Sequence, residues 1–309
     1  MARIKIAVIG VGSLGSIHAR ILAGLPEVEL VAVVDTNLKR AKAAARACRC
    51  QHLDDYRQLF GKIEAATIVV PTCLHFPIAR DFLNQGIHLL VEKPFTSTVE
   101  EADQLLEIAE AKRLLLQVGH VERFNAAVQA IHRLPGKPMF IECHRLGPYA
   151  RRVKDVGVVL DLMIHDIDII LNLVEDKVES IQAVGINVLT EHEDIANARI
   201  NFQNGAVANI TASRISPKSM RKIRLFQENT YISLDYEAQT ASIYAKKGRA
   251  IIRKRINIKK EKPLQKEISA FVQCVKEQKT PLVSGRQGRD ALSIAAEILT
   301  KIKTHSRHA

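Results

Sequence analysis

Residues Ile4 to Ile9 alternate β-branched and small apolar side chains, then run directly into Gly10-Val11-Gly12-Ser13-Leu14-Gly15 and a helical pattern from Ser13 to about Leu25. Strand, glycine turn and helix in that order leave few folds open. The first glycine permits the tight turn, the second lets a pyrophosphate approach backbone N–H groups at a helix N-terminus, and the third lets helix and strand pack closely. Alone, this spacing is a weak signal. Here a second buried strand, Leu30 to Val34, ends in Asp35, at about the twenty-residue distance expected of a ribose-binding acid. Such a carboxylate accepts hydrogen bonds from the adenosine ribose and repels a 2′-phosphate, which argues for NAD over NADP, although Lys39 and Arg40 weaken that preference. The competing reading of Asp35 is a cap for the helix at Asn37 to Ala47.

The alternation then repeats. A strand at Ala66 to Val70, a helix from about Phe76 to Asn84 stopped by Gly86, and a strand at Ile87 to Val91 predict a parallel sheet. Pro71-Thr72-Cys73-Leu74-His75 and Glu92-Lys93-Pro94 therefore sit at carboxyl ends of strands, where doubly wound sheets bind ligands. Gly10, Gly12, Ser13, Leu14, Gly15, Asp35, Thr72, His75, Glu92 and Lys93 are the expected cofactor contacts. Lys93 can also donate a hydrogen bond to a substrate hydroxyl and favour its alkoxide, or it can be a plain surface lysine before a turn. Thr98-x-x-Glu101 is a capping box opening a helix to Lys112, and Leu114 to Val118 is a further strand.

Beyond Val118-Gly119-His120-Val121-Glu122-Arg123-Phe124-Asn125 the character changes. A helix at Ala126 to Leu134 and a strand at Met139 to Arg145 precede an apolar segment, Val158 to Val174, without proline or internal glycine. Asp161, His165 and Asp168 recur there at one-face helical spacing. A carboxylate and an imidazole one turn apart can shift each other's pKa and exchange protons with a bound group. The bland alternative is a satisfied core histidine and an Asp168 paired with a basic residue. Seven strand candidates follow between Val178 and Ile256, with a hairpin signal at Gln203-Asn204-Gly205, so a predominantly antiparallel sheet is expected. Helices near Leu264 to Glu277 and Gly288 to Lys303 close the chain.

Composition narrows the class further. With 309 residues, 47% hydrophobic and 25% charged, the chain can build two domains with proper cores. Its opening, Met1-Ala2-Arg3-Ile4-Lys5, leads into an apolar run too short for a membrane span and unlike a signal peptide, so a cytoplasmic location and no membrane partner are expected. Cys48, Cys50, Cys73, Cys143 and Cys274 are scattered without a CxxC pair, which predicts reduced thiols and no metal site. The net charge of +12 is concentrated in the basic run from Lys246 to Lys262, read as a solvated face rather than a nucleic-acid site.

With GVGSLG, Asp35, Pro71 to His75, EKP and DLMIHDID in this order, the chain resembles the glucose-fructose oxidoreductase and inositol 2-dehydrogenase family (Gfo/Idh/MocA) along essentially its whole length. The resemblance implies an α/β protein: a Rossmann dinucleotide-binding domain, 1–120, followed by an α+β substrate-binding and oligomerisation domain, 121–309, with a large open, mainly antiparallel sheet. It matches the family's catalytic lysine to Lys93 and its Asp-x-x-x-His pair to Asp161 and His165. Val118 to Asn125 and Lys154 to Asp161 are similar to the family's nucleotide-sugar enzymes, UDP-N-acetylglucosamine 3-dehydrogenases among them, which oxidise the sugar 3-hydroxyl, often before an aminotransferase acts. Departures at Val70, Ala126 and Asp155-Val156-Gly157 bear on the substrate more than on the cofactor.

The expected chemistry is NAD-dependent oxidation of a sugar secondary hydroxyl, with His165 as base, Lys93 on the same oxygen and Asp161 orienting the substrate or His165. Arg145, Arg151, Arg152 and Lys154 are expected to hold a diphosphate, and Arg123, Asn125 and Asp155 to complete the substrate contacts. No role is assigned to Asp166 and Asp168. A homodimer or homotetramer is expected. The alternatives are a free-polyol or sugar dehydrogenase, a non-catalytic NAD-binding regulator, and a metal-dependent phosphohydrolase suggested by the dipeptide His165-Asp166.

Overall fold

The computed structural model describes residues 3–134, 136–149 and 156–306. They form two compact units, 1–121 with 264–289, and 122–263 with 290–309.

In the first unit, β1 (Ile4–Ile9), β2 (Val28–Val34), β3 (Gln51–Leu53), β4 (Ala65–Ile68), β5 (His88–Glu92) and β6 (Leu116–Gly119) form one sheet in the order β3-β2-β1-β4-β5-β6. Every pairing is parallel. The crossovers are α1 (Ser13–Ala23), α2 (Leu38–Cys48), α3 (His75–Asn84) and α4 (Val99–Ala111), the last opened by the expected Thr98–Glu101 capping box. Strand order reverses between β1 and β4, which places a ligand crevice at their carboxyl ends.

The expected single boundary near residue 120 does not hold for the tail of the chain. α7 (Pro263–Glu277) carries an apolar stripe, Ile268, Phe271, Val272 and Val275, that packs with Ile4, Ile6 and Val8 of β1. Burying each such side chain is worth roughly 1.5–3 kcal/mol, so α7 belongs to the sheet it covers rather than to its sequence neighbours. α8 (Gly285–Ser306) is divided between the units after Arg289.

The second unit is built on an eight-stranded sheet. In chain order its strands are β7 (Phe140–Leu146), β8 (Val178–Ile186), β9 (Ile195–Phe202), β10 (Val207–Ser213), β11 (Met220–Gln227), β12 (Thr230–Asp235), β13 (Thr240–Lys247) and β14 (Ala250–Ile256). Their spatial order is β14-β13-β12-β11-β7-β10-β9-β8. The β7–β10 pair is parallel and the other pairings are antiparallel, as the alternating pattern requires. On one face Ile141, Ile200, Ile210 and Leu225 are buried in a common cluster with Ile164, Ile167 and Ile170. The alternate residues stay exposed or half-buried. Among them Phe140, Phe226, Tyr231 and Tyr244 stack across four strands at centroid spacings of 5.5, 5.0 and 4.8 Å. Three residues of the basic run, Arg253, Lys254 and Arg255, lie on the exposed edge strand β14, where charges deter further pairing.

The segment expected to be one regular helix, Val158 to Val174, has two parts: a π-helical turn at Val159–Met163, then α6 (Ile164–Val174). Wide turns of this kind are rare and often mark functional sites.

Candidate active site

The glycine turn takes the shape its sequence predicts. Gly10 has φ +86, and a Cβ there would stand 2.3 Å from the Val69 carbonyl oxygen. A Cβ on Gly15 would stand 1.9 Å from the Gly10 oxygen, whereas one on Gly12 would meet nothing within 4 Å. Gly12 thus faces open space at the start of α1, whose first amides receive no side-chain cap; Ser13 and Leu14 are exposed beside it. An anionic group fits that cradle.

A cleft of about 710 Å³ opens from the turn, lined by Gly10, Gly12, Asp35, Arg40, Tyr56, Val70 and Leu74 among others. Asp35 accepts hydrogen bonds from Val11 N at 3.0 Å, Asn37 N at 2.8 Å and Arg40 Nη2 at 2.9 Å. Burial pushes its carboxyl up, but the bonds from Asn37, Arg40 and Val11 outweigh it and hold the pKa below the ordinary value. Asn37, not Asp35, caps α2 through Lys39 N and Arg40 N. The cradle and the cleft together fit a dinucleotide.

Lys93 follows β5 in a turn with a cis Lys93–Pro94 bond. Two buried histidines support this turn. His75 Nδ1 lies 2.9 Å from the Pro94 oxygen and Nε2 lies 2.9 Å from the Val70 oxygen, joining the turns after β4 and β5. Burial pushes the His75 pKa down; the carbonyls of Val70, Pro94 and Phe95, and then Glu92, oppose it. His18, on α1, approaches Glu92 Oε1 with Nε2 at 3.2 Å, while Glu92 Oε2 accepts from Lys93 N at 3.3 Å. A Cβ on Gly119 would stand 2.8 Å from that carboxylate, so a larger residue there would displace it. Three of the expected cofactor contacts, His75, Thr72 and Glu92, lie outside the lining of this cleft. His75 and Glu92 are struts beneath the Lys93 turn, and Thr72 opens a short turn outside the cleft lining, to which Leu74 contributes instead.

In the second unit the polar residues of the Asp161 segment separate by burial. Asp161 and His165 are half-buried; Asp166 and Asp168 are buried. Asp166 receives Arg145 Nε on Oδ2 at 2.9 Å and Arg145 Nη2 on Oδ1 at 2.8 Å, and Arg145 Nη1 reaches Glu122 Oε1 at 3.1 Å. Burial works against the Arg145 charge, and Asp166 overrides it, raising that pKa well above its ordinary value. Arg123 Nη1 donates to Asp168 Oδ1 at 3.3 Å, the pairing that the bland reading of Asp168 anticipates. Asn125 caps α5 (Ala126–His132) through Ala127 N and gives its amide to Glu122 and the Tyr236 carbonyl.

Three of the expected substrate contacts have internal partners. Arg123, Asn125 and Arg145 are 7%, 3% and 4% exposed and brace this part of the unit from within. Arg151, Arg152, Lys154 and Asp155 lie outside the described residues. Asp166 is held by two Arg145 nitrogens, and among the described residues no group of three His, Cys, Asp or Glu side chains forms the ligand set of a metal-dependent hydrolase.

Sequence reasoning missed the residues that fasten the front of this segment. Val159 N donates to Glu193 Oε1 at 3.1 Å and Val158 N to the Glu193 carbonyl at 3.0 Å. Arg214 Nη1 donates to the Val156 oxygen at 2.9 Å, and Asp194 Oδ1 holds Arg214 Nε at 2.7 Å. The only sequence signal is an acidic pair, Glu193-Asp194, just before a strand.

Comparison with known proteins agrees with this architecture. Residues 4–120 match the model of the Gfo/Idh/MocA oxidoreductase family with an NAD-binding Rossmann fold, and residues 119–250 match a Gfo/Idh/MocA C-terminal domain. UDP-N-acetylglucosamine 3-dehydrogenase of Acidithiobacillus ferrooxidans is 33% identical over 98% of each chain. Its solved structure superposes with a TM-score of 0.93 at 34% identity, covering 98% of this chain and 99% of that one. scyllo-Inositol 2-dehydrogenase (NAD(+)) of Bacillus subtilis is 29% identical over 91% of this chain and 89% of its own.

Proposed function

The chain belongs to the Gfo/Idh/MocA oxidoreductase family, and from that premise we propose that it oxidises the 3-hydroxyl of a UDP-N-acetylhexosamine such as UDP-N-acetylglucosamine, giving a 3-keto sugar. It is an oxidoreductase of CH–OH groups that uses a nicotinamide cofactor. The observation that carries the finer reading is identity of 33% to a UDP-N-acetylglucosamine 3-dehydrogenase over 98% of both chains.

NAD, when bound, accepts the hydride. The Gly10–Gly15 cradle would hold its diphosphate and Asp35 its adenosine ribose. His165 takes the hydroxyl proton, Lys93 hydrogen-bonds the same oxygen as negative charge develops, and Asp161 orients and stabilises protonated His165. Arg151, Arg152 and Lys154 remain the proposed contacts for the substrate diphosphate.

The half-exposed aromatic row on the second sheet supports assembly into a homodimer or homotetramer through that face. A 3-keto product is suited to an aminotransferase as next enzyme. The relationship to scyllo-inositol 2-dehydrogenase supports a second reading, oxidation of a free polyol. A screen of UDP-sugars, free sugars and inositols with NAD and NADP, following nicotinamide reduction with and without a 2-oxoacid acceptor, tests both. The proposal expects turnover with a UDP-N-acetylhexosamine. Turnover with inositols alone would replace it by the second reading.

A further inference from the structure

The π-helical turn that carries Asp161 is held from outside its own segment. Glu193 lies in the chain just ahead of β9 and is 8% exposed. Its carboxylate takes Val159 N at 3.1 Å and its carbonyl takes Val158 N at 3.0 Å, so one residue satisfies two amides at the start of the turn. The contact depends on Gly157: a Cβ there would stand 2.0 Å from Glu193 Oε1.

The clasp is itself braced. Asp194 accepts from the amides of Val188, Leu189 and Thr190 at 2.8, 2.6 and 2.9 Å and fixes the loop in which Glu193 sits. Arg214, held by Asp194 at 2.7 Å, reaches the Val156 carbonyl at 2.9 Å, so the residues on both sides of Gly157 are secured. Burial raises the Asp194 carboxyl, but the bonds from Leu189, Arg214, Val188 and Thr190 override it and set its pKa far below the ordinary value, keeping the brace charged at neutral pH.

We infer that Glu193 is a positioning residue: its grip on Val158 and Val159 selects the π turn over a regular helix and so sets the register of Asp161 against His165. A regular helix repeats about every 3.6 residues, and a wide turn changes which side chains fall together. Because Asp161 lies inside the wide turn and His165 beyond it, the register between them is decided at this turn. The catalytic roles of Asp161 and His165 are those of the proposed function; the Glu193 clasp acts through them and touches no substrate.

The test uses the full chain with Glu193→Ala, Glu193→Gln and Gly157→Ala. Each is assayed for kcat and KM with UDP-N-acetylglucosamine and for NADH affinity by fluorescence, and the His165 ring signal is recorded by NMR. Glu193→Ala and Gly157→Ala are expected to lower kcat by up to about a hundredfold, the scale of a misplacement of about an ångström, with NADH affinity unchanged and the His165 signal displaced. Glu193→Gln, whose amide oxygen still accepts, is expected to recover both kcat and the ring signal. If Glu193→Ala does not fold, Glu193→Asp, too short to reach Val159, carries the same expectation. A folded Glu193→Ala with wild-type kcat and an unmoved His165 signal overturns the proposal. Should the wild type leave every UDP-sugar untouched, the substrate reading falls, and the His165 signal alone decides the role of Glu193.

Discussion

Arg145 and Asp166 meet through two parallel hydrogen bonds, Nε to Oδ2 at 2.9 Å and Nη2 to Oδ1 at 2.8 Å, with Asp166 wholly shielded from solvent. Removing one partner of such a pair strands the other charge. Arg145→Met is expected to cost about 3–5 kcal/mol of unfolding free energy in a denaturant titration, because Asp166 and Glu122 lose their common cation. A variant with wild-type stability but weakened UDP binding would instead support Arg145 as a substrate contact.

Asp168 makes stability depend on pH. Burial pushes its carboxyl up to about 7, and Arg123 only partly opposes this. The unfolded chain releases the proton near the ordinary 3.8, so between 3.8 and about 7 the folded state binds more protons than the unfolded one. Stability from this group therefore falls as pH rises through that window and is constant on either side. Asp168→Asn has no proton to release and is expected to flatten that part of the profile in denaturant titrations at successive pH values. Equal slopes for variant and wild type would contradict this.

Cofactor choice rests on Asp35 and its partner Arg40, whose Nη2 lies 2.9 Å from Oδ1. The carboxylate is expected to make NAD the better substrate by kcat/KM. Asp35→Ser frees Arg40 for a 2′-phosphate and is expected to move the NADP/NAD ratio by about tenfold or more, the worth of one charge-assisted contact. An unchanged ratio would remove Asp35 from the selection.

His165→Asn is expected to lower turnover by about a hundred- to ten-thousandfold, the range of general acid–base assistance, while NADH still binds. Steady-state kinetics beside a fluorescence titration separate the two effects. Turnover equal to wild type would take His165 out of the proton transfer.

The first sheet was legible because glycine, strand and helix signals coincide from Ile4 to Asp35. β3 escaped because Gln51-His52-Leu53 is three residues long and offers no apolar alternation. The apolar stripe of α7 was visible, but a stripe does not name the sheet it will cover. Around the site, Lys93, Asp161 and His165 stood out as titratable groups in apolar segments. The pairing of Arg145 with Asp166 could not be read there because the two lie 21 positions apart. Glu193 was invisible for the same reason: its carboxylate acts on Val159, 34 positions back, through a gap that only Gly157 leaves open.

UDP-N-acetylglucosamine carrying deuterium at C3 provides the most direct test of the central claim. The enzyme is incubated with this substrate and NAD, and the reduced cofactor is examined by mass spectrometry. Deuterium on the nicotinamide, with a matching 3-keto sugar, is the predicted result. Reduced nicotinamide without deuterium, or no reduction in enzyme that binds both NAD and the UDP-sugar, would contradict it.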